Sequence, residues 1–86
     1  MDLSRRHRAT LSAIFARPVR GTIRWVDIEA LLFALGAEVA EREGSRVAVF
    51  LFGEVQVFHR PHPSPETDKG AVRSLRRWLE RNGVEP

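Results

Sequence analysis

Residues 46–59 read RVAVFLFGEVQVFH, and this stretch decides the fold of the chain. β-Branched and aromatic residues, which favour strands, lie on both sides of Gly53-Glu54, and a glycine at the first of two turn positions is typical of a tight hairpin. The stretch therefore predicts two antiparallel strands joined at that turn, with Phe52 opposite Val55.

Both faces of the predicted hairpin are apolar. In this register one face carries Ala48, Phe50, Phe52, Val55 and Val57, with Arg46 and His59 at its far end. The other face carries Val47, Val49, Leu51 and Phe58, with Gln56 and Arg60. Two alternatives follow: helices cover the sheet on both sides, or one face is kept free for a protein partner.

Outside the hairpin, three stretches have apolar residues at the spacing of a helix: residues 3–16, 25–35 and 69–82. Gly36 and Gly83 are positioned to end the second and third helices, and Thr67 or Asp68 to cap the third at its beginning. Residues 38–42 alternate weakly and predict a first strand. The order is α-α-β-β-β-α, so we expect a small α+β domain with a three-stranded antiparallel sheet.

The composition limits the class of protein. The chain has 86 residues, no cysteine and no apolar run long enough for a membrane span, so we expect one small domain in a reducing compartment, the cytoplasm. Its net charge of +3 divides into +5 for residues 1–24, −4 for residues 25–58 and +2 for residues 59–86. If the basic ends meet in space they form a surface for a polyanion; otherwise they are a solvated surface.

Several kinds of site are excluded because their motifs are missing. The sequence has no glycine-rich phosphate loop, no His-Glu-x-x-His and no Cys/His pair at metal-ligand spacing. We therefore predict neither a metal site nor a cofactor. The groups left for chemistry are the arginines and two histidines, His59 and His62, at the proline-rich loop of residues 60–68.

Four short motifs, taken in order, carry a resemblance to a known family. They are Leu35-Gly36, Gly44-Ser45, His59-Arg60-Pro61-His62 and Lys69-Gly70-Ala71-Val72-Arg73-Ser74-Leu75. With these motifs, the chain from Trp25 to Leu79 resembles the HicA-type toxins of bacterial toxin–antitoxin pairs. The resemblance implies that residues 23–86 form a HicA-like RNA-binding domain and that residues 1–22 are an N-terminal helical extension.

The resemblance also implies a fold and an activity. It implies an α-β-β-β-α core like that of double-stranded-RNA-binding domains, metal-independent cleavage of mRNA, and neutralisation by a cognate HicB-type antitoxin. Such a fold meets RNA by its shape and by phosphate contacts from basic groups and a helix N-terminus. We therefore expect RNA-binding residues at Ser45, Arg46, Arg60, Lys69, Gly70, Arg73 and Arg77.

The chain departs from the family pattern at Arg46. In the family a catalytic histidine directly follows the Gly-Ser turn, and here an arginine stands at that position. Because arginine stays protonated, it can stabilise the charge of a phosphorane-like transition state but is a poor base. We therefore predict a catalytic set of Arg46, His59 and His62, in which the arginine holds the scissile phosphate and a histidine moves the protons.

The last predicted helix carries arginines, among them Arg73 and Arg77, on the side opposite its apolar stripe. They form a solvated face, an RNA-phosphate surface or a docking face for an acidic antitoxin. Three hypotheses for the whole protein remain open: an endoribonuclease toxin, a catalytically inactive module that binds RNA or protein, and a structural protein. The structural protein would self-associate through Val47, Val49, Leu51 and Phe58.

Overall fold

The helices and strands follow the predicted order. The structure is a computed structural model that describes residues 3–86. Its elements are α1 (Arg5–Ile14), α2 (Trp25–Ala34), β1 (Glu38–Glu41), β2 (Arg46–Leu51), β3 (Glu54–His59) and α3 (Lys69–Arg81). The strands form one antiparallel sheet with β2 in the centre, so the predicted α+β fold is confirmed. Residues 1 and 2 of the predicted N-terminal extension lie outside the described residues.

The hairpin turn lies one residue earlier than predicted. Phe52 and Gly53 form it, with φ angles of 57° and 71°, and Leu51 faces Glu54. Two consecutive positive φ angles are the pattern of a type I′ turn, whose twist matches that of the strands. The prediction of a Gly53-Glu54 turn is wrong because the Phe52 ring packs edge-on against Trp78, with 5.5 Å between the ring centroids. This contact offsets the cost of a left-handed phenylalanine.

The strand residues keep their predicted faces despite this shift. Phe50 now faces Val55, so the register moves by two residues relative to the prediction. Because side chains alternate between the faces with a period of two, a shift by two leaves each of them on its own side. Phe52 alone changes place, since it leaves the strand and packs on the side of the helices.

The helices and one face of the sheet enclose the core. The sheet contributes Val47, Val49, Leu51 and Phe58, and the helices contribute Leu11 and Ile14 of α1, Ile28, Leu31 and Leu32 of α2, and Val72, Leu75, Trp78 and Leu79 of α3. The hypothesis of a structural protein that self-associates through this face is therefore wrong, because the helices already bury it. No helix within residues 3–86 combines the length and the hydropathy needed to cross a bilayer.

The opposite face of the sheet is not covered by any helix of the described residues. We call it the open sheet face, and it consists of Glu38 and Ala40 of β1, Arg46, Ala48 and Phe50 of β2, and Val55, Val57 and His59 of β3. Phe50, Val55 and Val57 expose 42%, 50% and 54% of their surface. The alternative of helices on both sides of the sheet is therefore wrong, and an apolar surface faces solvent.

Candidate nucleic-acid interface

The strand register places Arg46 directly opposite His59 at one end of the open sheet face. Both side chains are exposed. Residues directly opposite each other on neighbouring antiparallel strands have Cβ atoms about 5 Å apart. The register therefore brings two of the three predicted catalytic residues to neighbouring positions on one face of the sheet.

A tight three-residue turn, residues 43–45, positions Arg46 at the start of β2. Gly44 and Ser45 have φ angles of 66° and 67°, in the left-handed region, and they reverse the chain between β1 and β2. Glycine adopts this conformation freely, whereas for serine it costs roughly 1 kcal/mol. The Arg46 Nε donates a hydrogen bond to the Glu43 carbonyl oxygen at 3.1 Å, which restricts where the guanidinium group can point.

Arg42 lies next to this pair and was not among the predicted site residues. Its amide donates to the Arg46 carbonyl oxygen at 2.8 Å, so the pairing of β1 with β2 continues by one residue pair beyond Glu41. Alternation along the strand then directs Arg42 to the same side as Ala40. Its even spacing from Ala40 is the sequence signal that could have identified it. We call Arg42, Arg46 and His59 the basic row.

Arg60 turns away from the basic row, to the side of the helices. Its guanidinium group donates to both carboxylate oxygens of Glu41, at 2.9 and 2.8 Å, and to Glu29 of α2 at 3.3 Å. These hydrogen bonds lower the pKa of Glu41 and raise the pKa of Arg60. Arg60, predicted as an RNA-binding residue, is therefore held by two carboxylates from neighbouring elements.

His62 is exposed in the proline-rich loop, three residues after His59. Two backbone hydrogen bonds tie the far end of this loop to the segment before α2. The Trp25 amide donates to the Pro65 carbonyl oxygen at 3.0 Å, and the Thr67 amide donates to the Ile23 carbonyl oxygen at 2.7 Å. The loop that carries His62 is thus anchored at both ends, by β3 and by the start of α2.

The side chain of Asp68 caps the N-terminus of α3. Asp68 Oδ2 accepts a hydrogen bond from the Ala71 amide at 3.1 Å, so Asp68 rather than Thr67 is the cap. A Cβ on Gly70 would lie 3.1 Å from the same oxygen, so the glycine leaves room for the capping carboxylate. A phosphate at Lys69-Gly70 would therefore meet a negative charge next to the helix N-terminus.

Arg73, Arg77 and Arg81 lie on α3 opposite its buried stripe, and we call them the arginine face. Arg81 is paired with Glu54 of the hairpin at 2.7 Å, and its hydrogen bond lowers the pKa of that carboxyl. Arg73 and Arg77 are exposed and form no ion pair within residues 3–86. Two positive charges of the arginine face are therefore available to an anionic partner.

The basic row and the arginine face lie on opposite sides of the protein. Val72, Leu75 and Leu79 of α3 pack on the core side of the sheet, so Arg73 and Arg77 point away from it. The basic row lies beyond the sheet, on its other face. The predicted RNA-binding residues are therefore not one cluster: Ser45 and Arg46 lie at the end of the sheet, Arg60 on the helix side, and Lys69, Gly70, Arg73 and Arg77 on α3.

The described part of the chain offers no evident site for a metal ion. Among residues 3–86, no three histidine or acidic side chains are grouped as the ligands of a metal would be. A cleft of about 180 Å³ reaches Arg60 and is lined by Trp25, Val26, Glu29, Pro61 and Pro65 as well. Its lining is largely apolar, and its carboxylate is the one that already pairs with Arg60.

A comparison with models of known protein families finds one that matches the sequence of this chain. The model of the HicA toxin of bacterial toxin–antitoxin systems matches residues 25–85, from the first residue of α2 to beyond the end of α3. The match leaves α1 outside. No curated protein and no solved structure matches the chain at a significant level. Because the family model covers most of the chain, the resemblance carried by the four short motifs is confirmed, and the chain belongs to the HicA toxin family.

Proposed function

We propose that this toxin binds RNA and cleaves mRNA in the bacterial cytoplasm, without a metal ion, at the basic row. The observation that carries the proposal is the strand register, in which Arg46 and His59 are opposite each other and both exposed. A scissile phosphate between them would contact a permanent positive charge on one side and a proton-exchanging group on the other.

The proposed reaction is an attack within the RNA strand. The 2′-hydroxyl oxygen forms a bond to the adjacent phosphorus, and the bond from phosphorus to the 5′-oxygen of the next nucleotide breaks. His59 takes the proton from the 2′-hydroxyl, and His62 supplies a proton to the departing 5′-oxygen. Arg46 stabilises the charge on the phosphorane-like transition state. The products are a 2′,3′-cyclic phosphate and a free 5′-hydroxyl.

The other predicted RNA-binding residues receive supporting roles in this proposal. Arg73 and Arg77 bind phosphates of RNA outside the cleaved step, in the manner of a double-stranded-RNA-binding domain, which contacts the backbone rather than base edges. Ser45 and Arg60 act indirectly in this proposal. The Arg60 amide donates to the Ser45 carbonyl oxygen at 2.8 Å, and this bond holds together the ends of β2 and β3 that carry Arg46 and His59. We assign Lys69 with Gly70 a weaker phosphate contact.

Membership of the toxin family implies a cognate antitoxin as partner. We propose that this antitoxin is a HicB-like protein. An acidic segment of it would suit the arginine face, where Arg73 and Arg77 are exposed. Binding there need not compete with RNA at the basic row on the opposite side, so the antitoxin requires a second contact to block cleavage.

The proposal is tested with purified toxin and an mRNA transcript in buffer that contains EDTA. The wild type is expected to release fragments that end in 2′,3′-cyclic phosphates, and His59→Ala combined with His62→Ala is expected to lose this cleavage. His7→Ala, in the remaining histidine of the chain, is the matched control and retains it. Cleavage that requires added Mg²⁺, or a double variant as active as the wild type, contradicts the mechanism.

A second candidate function is supported by Arg46 itself, which stands where the family has its catalytic histidine. A protein that has lost catalysis would bind RNA or a protein without cleaving the transcript. In that case the wild type binds RNA with a steep salt dependence and leaves it intact. Arg46→His would then be expected to produce cleavage that the wild type lacks.

A further inference from the structure

We propose that Phe50 is a stacking platform for one base of the RNA, and that the substrate is single-stranded where it crosses the open sheet face. This inference rests on the proposed RNA binding, and it adds the substrate class and a residue that the cleavage mechanism does not use. It makes the open sheet face part of the site rather than a bare surface beside it.

Phe50 has the position and the exposure that stacking requires. It lies on the central strand, between Glu38 of β1 and Val55 of β3, and 42% of its surface is exposed. On the other face of the same sheet, Phe58 is buried against Trp25, with 5.7 Å between the ring centroids. The Phe58 ring therefore contributes to the core, whereas the Phe50 ring is exposed to solvent in the free protein.

The distance from the basic row suits a strand of RNA. Phe50 and Arg46 lie four residues apart on β2, which corresponds to about 13 Å along the strand. An RNA strand whose phosphate lies at Arg46 can therefore place a base on Phe50 within a few nucleotides. Ala48, the residue between them on this face, is fully buried and has a small side chain. It therefore does not obstruct an RNA strand that runs from Arg46 to Phe50.

The charges along the open sheet face favour one placement of the phosphates and bases of a bound RNA strand. The basic row forms one end, the apolar residues the middle, and Glu38 lies beside Phe50 at the other end. A phosphate is attracted to the basic row and repelled near Glu38, while the apolar middle favours a base over a phosphate. Val55 and Val57 border the ring on the neighbouring strand, where they add apolar contact for the flat face of a base.

The size of the apolar surface favours a base over a protein partner. Three strands at the usual spacing, over the length of three same-face residues, present only about 200 Å². A stable protein interface takes about 800 Å² from each partner. A stacked base needs far less, and aromatic side chains that bind single strands without sequence preference work in this way. A duplex hides the faces of its bases, which is why the substrate must be unpaired here.

The test measures the binding of a fluorescein-labelled single-stranded RNA of about 12 nucleotides, within the range that such sites cover. The RNA carries 2′-O-methyl groups, so that the full-length toxin binds it without cleaving it. Phe50→Leu is expected to weaken binding about 5- to 100-fold, because one stacked base is lost. The slope of log Kd against log salt concentration is expected to stay unchanged, since no phosphate contact is removed.

Two further variants make the result specific. Phe33→Leu is the matched control, because this phenylalanine is also exposed, by 53%, but lies on α2. It is expected to leave RNA binding unchanged. Phe50→Trp keeps an aromatic surface and is expected to retain the affinity, with quenching of its indole fluorescence by the bound base. Retention of affinity in this variant also shows that the position tolerates substitution without loss of the fold.

Other outcomes overturn the inference. Wild-type affinity in Phe50→Leu shows that no base stacks there, while cleavage by the same variant would leave the proposed function intact. If Phe50→Leu binds the RNA normally but loses the antitoxin, the open sheet face is a protein surface. If the wild type binds no RNA at all, the proposed function and this inference both fail.

Discussion

The open sheet face and the arginine face both present positive charge, but they hold it in different ways. Arg46 and His59 of the basic row are fixed by the backbone ladder on two paired strands, and Arg46 is further restricted by its bond to Glu43. Arg73 and Arg77 extend from one helix without an ion pair in the described residues.

If the proposed mechanism holds, this difference separates the charges that attract RNA from the groups that react with it. Exposed charges without ion-pair partners on a helix attract a polyanion at many positions, which increases affinity but does not align one phosphate for reaction. Groups held on adjacent strands can align a phosphate, because their relative position is set before the RNA arrives. We therefore expect substitutions on the two surfaces to affect different steps.

The largest expected effect comes from matched substitutions of one arginine on each surface. Arg46→Gln is expected to lower the cleavage rate at saturating RNA about 10²- to 10³-fold, because it removes the group that we propose stabilises the transition state. Arg73→Gln is expected to leave this rate unchanged. Each variant should reduce the salt slope of RNA binding by about 0.7, the contribution of one phosphate contact on a single strand.

Single-turnover cleavage assays and binding titrations over a range of salt concentrations measure the two quantities. Equal losses of rate in Arg46→Gln and Arg73→Gln would mean that both surfaces act in the same step. The separation of charge from chemistry would then be wrong.

A smaller effect is expected from two valines that differ in the face of the sheet they occupy. Val49 is fully buried, whereas Val57 is 54% exposed on the open sheet face. Val49→Ala is expected to lower the free energy of unfolding by about 2 kcal/mol, since it removes buried methyl groups and leaves a cavity. Val57→Ala is expected to change it by less than about 0.5 kcal/mol.

Urea unfolding followed by circular dichroism provides the measurement. The result decides whether the open sheet face is dispensable for folding and hence available for function. A loss in Val57→Ala as large as that in Val49→Ala would mean that the open face stabilises the fold directly.

The smallest effect concerns the ion pair between Arg60 and Glu41 on the helix side of the sheet. The pKa of Glu41 is lowered from its ordinary value of 4.5, because Arg60 donates hydrogen bonds to its charged form. A lowered pKa contributes stability above the unfolded-state value, and this contribution is lost as the pH falls through the lower folded-state value. The wild type should therefore lose its advantage over Glu41→Gln below about pH 4.5.

Thermal unfolding of both proteins between pH 7 and pH 3 measures this convergence. Glu38→Gln is the control, since Glu38 lies on the same strand but on the open sheet face, where it forms no ion pair within residues 3–86. A constant difference between wild type and Glu41→Gln over the whole range would show that the pair does not stabilise the fold.

Local patterns predicted much of the fold because they depend on neighbours in the sequence. The narrowing of the α3 cap to Thr67 or Asp68 and the alternation of residues between the sheet faces both follow from such short-range rules. The position of the hairpin turn did not follow, because the left-handed Phe52 is stabilised by Trp78, a residue of the distant α3. The strand residues were still assigned to the correct faces of the sheet, because the register moved by an even number of residues.

The candidate site was predicted in part for the same reason. Arg46 and His59 could be placed together because one hairpin carries both residues. The partners of Arg60 come from α2 and β1, and no short-range pattern links it to Glu29 or Glu41. The split between the basic row and the arginine face also depends on how α3 packs, which the sequence of the helix alone does not specify.

The placement of α1 has a consequence for how this toxin is built. The family match begins at residue 25, yet Leu11 and Ile14 of α1 lie fully inside the core that α2, α3 and the sheet share. The α1 helix is therefore a structural part of this protein, although it lies outside the part common to the family. A chain trimmed to the matched region would expose the core residues that α1 covers, so the boundaries of the family and of the folding unit differ.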